Sequence, residues 1–75
     1  MIIITVTKDN QPVDHFLFWK FQFEKAYRKM AELCRTCCGV EITKNELATD
    51  RLIISDGSEN PSTVSYIEKA DNDNS

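Results

Sequence analysis

At 75 residues, with nine Lys and Arg against twelve Asp and Glu, the chain has a formal charge of −3 and the length of one small domain. Chains of this size bury only ~60% of the surface their unfolded form exposes, which excludes a second core, a cleft walled by two domains and most enzyme architectures. A hydrophobic fraction of 41% beside 28% charged residues is that of a soluble globular protein, and no run approaches the ~18 apolar residues of a membrane span. Met1 leads straight into Ile2-Ile3-Ile4 with no basic leader, so the expectation is a cytoplasmic protein that makes no membrane contact. Cys34, Cys37 and Cys38 are odd in number and crowded, which fits free thiols in a reducing compartment. With no disulfide to staple it, so small a core calls for idealised packing or oligomerisation.

Every residue from Ile2 to Thr7 is β-branched, which predicts a strand. Lys8-Asp9-Asn10-Gln11-Pro12 carries turn chemistry, and a two-residue turn at Asp9-Asn10 sets Val6 opposite Val13, Ile4 opposite His15 and Ile2 opposite Leu17. His15 to Phe23 fits either period. As a strand it puts Leu17, Trp19 and Phe21 on one face and Phe16 and Phe18 on the other; as a helix it gives a stripe through Phe16, Trp19, Phe23, Ala26, Met30, Leu33 and Cys37. The need to pair the first strand and the change to strong helix formers at Glu24-Lys25-Ala26 favour a strand over about 13–20. A helix over about 22–37 follows, ended by Gly39 as a left-handed cap. Val40-Glu41-Ile42 alternates like a short strand, and Thr43 with Glu46 spells a capping box for one helical turn through Ala48. Arg51 to Ser55 reads as a buried strand, Asp56-Gly57 and Pro61 punctuate a loop, and Thr63 to Glu68 makes a second hairpin. The fold class is therefore α+β: one domain over 1–68, ββαββ, an antiparallel sheet with one helix on one face, and a disordered polar tail over 69–75.

Six of the seven aromatic residues, Phe16, Phe18, Trp19, Phe21, Phe23 and Tyr27, fall within twelve positions. One helix covers only one face of a sheet, so rings on both faces of a strand leave one set in need of cover, which points to a partner or a second copy. Charge is polarised too: residues 1–38 carry six basic and four acidic side chains, residues 39–75 three and eight. Lys25, Arg28, Lys29 and Arg35 form a basic helix face that suits phosphates, although Glu24 and Glu32 at spacing four from Arg28 make ordinary intrahelical pairs. Cys34-x-x-Cys37 has a zinc-ligand spacing but no second such pair, and its thiols close a helix, whereas redox thiols open one, where the dipole activates them. Asp56-x-Ser58-x-Asn60 begins like a calcium loop and fails at Pro61 and Ile67, where glycine and a bidentate Glu are required. Asp14 and His15 point to opposite faces of a strand, and no nucleophile, base and oxyanion donor can be assembled; the expectation is no catalytic residue, no metal and no cofactor.

The Ile2 to Thr7 strand, the Lys8-Asp9-Asn10 turn, Phe16-x-Phe18, the Phe23-Glu24-Lys25-Ala26 helix start and the acidic second half together resemble small phage-encoded proteins that inhibit host machinery or counter host defence. The likeness covers about two-thirds of the chain as architecture, and no functional residue transfers from it. The aromatic cluster inside a charged rim leads to the expectation of a non-enzymatic binding module that occupies a protein surface, the action of such inhibitors. Phe16, Phe18 and Trp19 would be its apolar anchors, and Asp50, Asp56 and Glu59 would face a basic partner. The alternatives are nucleic-acid or nucleotide binding through the basic helix face, and a structural homo-oligomer subunit; self-association as a two-fold dimer is expected in any case.

Overall fold

The structure, a computed structural model, describes residues 1–48 and 50–69. Four strands, β1 (Ile2–Lys8), β2 (Gln11–Phe18), β3 (Arg51–Ser55) and β4 (Ser62–Glu68), form one antiparallel sheet in the order β2-β1-β4-β3, and helix α1 (Phe23–Leu33) covers one face of it. The ββαββ plan read from the sequence is the plan of the fold. Its β-branched first strand lies second in the sheet, paired on both sides by β2 and β4.

Asp9 and Asn10 both adopt positive φ, 54° and 65°, the geometry of a primed two-residue hairpin turn. The register beyond that turn differs from the expected one. Lys8 pairs with Gln11 and Thr7 with Pro12, but a bulge then admits Val13, so Val6 meets Asp14, Ile4 meets Phe16 and Ile2 meets Phe18. Because side chains alternate with period two, that single residue decides which set enters the core. Phe16 and Phe18 join Ile2 and Ile4 on the helix side, and His15 and Leu17 go outward; an unbulged ladder would bury the histidine instead.

The strand ends at Phe18, earlier than expected, because Trp19 to Gln22 fold back on themselves. Gln22 N–H donates to the Trp19 carbonyl at 2.9 Å, and Trp19 N–H donates to Gln22 Oε1 at 2.9 Å. After Leu33, α1 loosens into one π-helical turn over Cys34–Cys38 and stops at Gly39, whose φ of 67° is the left-handed cap foreseen. Gly39 N–H and Val40 N–H close the end on the carbonyls of Arg35 and Cys34, both at 3.1 Å. Val40 to Ile42 form no strand: Ile42 is buried as part of an irregular connection that plugs the bottom of the core together with Leu47. The capping pair is present, since Thr43 N–H donates to Glu46 Oε1 at 3.2 Å at the head of a 3-10 turn over Lys44–Ala48.

The core consists of Ile2, Ile4, Val64 and Tyr66 from the two central strands, and of Ala26, Met30 and Cys34, one helical turn apart, from the helix side. β3 is an edge strand, not a buried one: Leu52 and Ile54 pack inward and Ile53 is exposed. Residues 70–75, most of the tail foreseen as disordered, lie outside the described residues. Lys69 continues the ladder by donating its N–H to the Met1 carbonyl at 2.9 Å.

Candidate functional site

The helix covers one face of the sheet, and among the described residues no element covers the other. Strand register places Leu17, Ile3, Ile67 and Arg51 side by side across it, with His15, Thr5, Ser65 and Ile53 in the next row and Thr7, Thr63 and Ser55 beyond. One end of the open face is thus aliphatic and the other lined with hydroxyls. Trp19 is still extended, φ −73° and ψ 157°, so it keeps the parity of Leu17 and extends the aliphatic end. Exposure is high for residues of this kind: Leu17 62%, Trp19 52%, Val13 55%, Ile53 55% and, in the adjoining turn, Phe21 84%. Val13, at the bulge, and Ile53, on the far edge strand, are scattered apolar side chains of the ordinary surface kind, whereas Leu17, Trp19 and Phe21 follow one another at the end of β2, and grouped apolar side chains mark interaction sites.

The three expected anchors separate. Trp19 is exposed, but Phe16 and Phe18 are half-buried and pack against the core on the opposite face. Sequence reasoning missed Leu17, Phe21 and Ile53 as candidates; the parity signal for Leu17 and Phe21 was present, but the bulge that turns Leu17 outward was not legible. Asp50 and Asp56 are both exposed but stand at opposite ends of β3, about 20 Å apart along an extended strand, and Glu59 lies in the following loop. They do not form one acidic cluster. Asp56 works locally: its Oδ1 accepts from Ser58 N–H at 3.0 Å and Ser58 Oγ–H at 2.9 Å, and these bonds hold its carboxyl below the usual carboxylate range.

The basic helix face is partly spent. Lys25, Arg28 and Arg35 are exposed, but the Lys29 ammonium sits 4.6 Å from the centre of the Phe16 ring, a cation–π contact on the sheet edge. Glu24 pairs with Lys44 across the connection, in place of the intrahelical partner expected.

Cys34 lies fully inside the core, and burial, with the neighbouring thiols adding, pushes its thiol up to about 11. The Cys38 thiol points at the Ser62 carbonyl, 3.4 Å away, and is likewise raised, first by burial and then by Asp56. His15 sits on the open face with Nδ1 3.3 Å from Thr5 Oγ1, on the other side of the sheet from the cysteines. Among the described residues no three His, Cys, Asp or Glu side chains are grouped as a metal would need, and no helix is long and apolar enough to cross a membrane.

Comparison with family models, curated proteins and solved structures finds no match to this chain. The reading of the site therefore rests on its own chemistry: an open, half-aliphatic sheet face with an aromatic corner, in a small α+β domain.

Proposed function

We propose that this chain is a non-enzymatic protein-binding module that docks through the aliphatic end of its open sheet face, with Leu17, Trp19 and Phe21 as anchors. The observation that carries the reading is the exposure of these three large side chains around one corner, where β2 turns into the 3-10 segment over Lys20–Gln22. Trp is among the residue types enriched in interface hot spots, so Trp19, once enclosed by a partner, would be the principal anchor, worth ~2 kcal/mol or more on truncation, with Leu17 and Phe21 completing its apolar surround. Asp50, Asp56 and Glu59 lie at and beyond the opposite edge strand, β3, and stand outside the proposed contact. Blocking a partner's surface is the action of the phage-type inhibitors that the sequence resembles.

Affinity capture from the native host with wild-type protein and with a Trp19→Ala, Phe21→Ala variant tests the reading. Both side chains are exposed, so the variant keeps its core, and a partner held by the wild type is expected to be lost. Retention of the same partners by the variant refutes it. Titration with single- and double-stranded DNA and RNA is the second arm. Affinity that falls steeply with salt, and depends on Lys25, Arg28 and Arg35, would instead assign the function to the helix face.

A further inference from the structure

The connection from β3 to β4 turns on Asp56-Gly57, and each of the two residues answers a backbone requirement. Gly57 has a φ of 74°, a conformation that L side chains rarely adopt. Asp56 N–H donates to the Ser62 carbonyl at 3.2 Å and closes the hairpin, while Asp56 Oδ1 accepts from Ser58 N–H at 3.0 Å, the bond by which an Asp side chain shapes a turn. The chain has two glycines; Gly39 follows Cys38, and Gly57 alone follows an Asp.

What the turn requires is also what makes it chemically reactive. A bond from the Gly57 nitrogen to Asp56 Cγ closes a five-membered ring, so carboxyl and amide meet as parts of one molecule, with no second reactant to bring in. The amide proton and the carboxyl hydroxyl leave as water, and a succinimide forms. Water then opens the ring at Cγ, which restores aspartate, or at the main-chain carbonyl, which leaves isoaspartate, with the chain running through Cβ and Cγ and the α-carboxylate free. Glycine has no side chain to hinder its nitrogen, and a Cβ placed at Gly57 meets nothing within 4 Å, so the fold adds no cover there. Asp56 itself is exposed.

We propose that Asp56 is a site of spontaneous isoaspartate formation, and that Ser58 and Ser55 are the positioning residues that slow it in the folded protein. A serine engages each of the two reacting groups. Asp56 Oδ1 accepts a second bond, from Ser58 Oγ–H at 2.9 Å, and Gly57 N–H donates to Ser55 Oγ at 3.4 Å. Ring closure removes that proton and rotates the carboxyl onto the nitrogen, so both bonds oppose it. Closure also runs from the protonated carboxyl, because the departing oxygen leaves as water, and the bonds from Ser58 thin that form by holding the carboxyl below its usual range. Isoaspartate would add a methylene to the main chain where Asp56 closes the hairpin, and would turn the carboxylate that Ser58 holds into a peptide carbonyl. The loop stands at the end of the sheet where Ser55 pairs with Thr63 and Thr63 with Thr7, away from Trp19, so the proposal does not depend on the docking reading.

Incubation of the full chain in warm neutral buffer over several weeks tests the proposal. Isoaspartate is counted by methyl transfer from labelled S-adenosylmethionine with protein isoaspartate methyltransferase, and its position is read by electron-transfer fragmentation. The expected result is isoaspartate at Asp56 that accumulates more slowly in the folded wild type than in the same chain unfolded in guanidinium chloride. Ser58→Ala, at an exposed side chain, is expected to speed its formation ~3–10-fold, the weight of one lost hydrogen bond, and Ser55→Ala to act in the same direction. Gly57→Ala sets a methyl beside the attacking nitrogen and is expected to suppress the reaction in the unfolded chain too, where positive φ plays no part. Circular dichroism of each variant separates a lost bond from a lost fold, and Ser55→Ala decides if Ser58→Ala does not fold. Equal rates in folded and unfolded wild type, or rates that neither serine substitution raises, overturn the proposal. Isoaspartate that forms elsewhere within residues 1–69 of the folded protein and not at Asp56 overturns it as well.

Discussion

Tyr66 has no exposed surface, and its hydroxyl finds no hydrogen-bond partner among the described residues. In the unfolded chain that hydroxyl is hydrated. Folding strips the water and returns nothing, a penalty of ~1–3 kcal/mol for a buried polar group left unpaired. Tyr66→Phe deletes the oxygen and keeps the ring that packs against the central core, so the substitution is expected to stabilise the domain by ~1–2 kcal/mol. For a domain of 60–100 residues each kcal/mol moves the melting midpoint by about 4–8 °C, so calorimetry should show a rise of about 4–16 °C. The alkaline limb gives an independent readout. Burial first, and then the charge of Glu68, raise the Tyr66 pKa above its ordinary 10.0. The unfolded chain therefore releases this proton first, and stability present below pH 10 is lost as pH rises through the folded value. Tyr66→Phe removes that share of the loss, and the gap between variant and wild type should widen above pH 10. A variant less stable than wild type by 1 kcal/mol or more would refute the reasoning, because the hydroxyl must then hold a bond within the core.

Other substitutions test the remaining supports of the fold. Met30 is fully buried at the centre of the helix–sheet contact, and Met30→Ala should cost ~2–5 kcal/mol in urea unfolding with an unchanged m-value. Gly39→Ala meets no neighbour, so its expected loss of ~1 kcal/mol comes from backbone strain at a φ of 67° alone, and Asn, which tolerates that region, should lose less. Cys34, buried and with its thiol raised from 9.0 to about 11, should resist alkylation at pH 8 in the native protein while half-buried Cys37 reacts first and Cys38, itself raised by burial, reacts later, as mass spectrometry of timed quenches will show. Because the Cys34 shift is upward, its contribution to stability is whole below pH 9 and disappears as pH rises towards 11, and Cys34→Ala flattens that part of the profile.

Local signals carried most of the architecture. The β-branched run of Ile2 to Thr7, the Asp9-Asn10 turn, the left-handed Gly39 and the Thr43–Glu46 pair each state a backbone requirement within a few residues, and each appears in the fold as read. The bulge at Val13 was not legible, because nothing in Pro12-Val13-Asp14 distinguishes an extra residue from a paired one. What selects it is tertiary: burying Phe16 and Phe18 against the helix is worth more than burying His15 and Leu17. That one residue also moved the candidate site. Parity without the bulge turns the phenylalanines towards solvent, and with it the exposed set becomes Leu17, Trp19 and Phe21. Arg51 to Ser55 looked buried because Leu52-Ile53-Ile54 is continuous. Strand order, which depends on which strand pairs β1, makes it an edge.

Hydroxyl-radical footprinting of the protein bound to its captured partner tests the docking corner most directly, because it reads side chains one by one. The open-face account predicts that Leu17, Trp19 and Phe21 lose reactivity on binding while Tyr27 and Leu33, on the helix side, keep theirs. Protection confined to the helix side, with Trp19 and Phe21 as reactive in the complex as in the free protein, would contradict it.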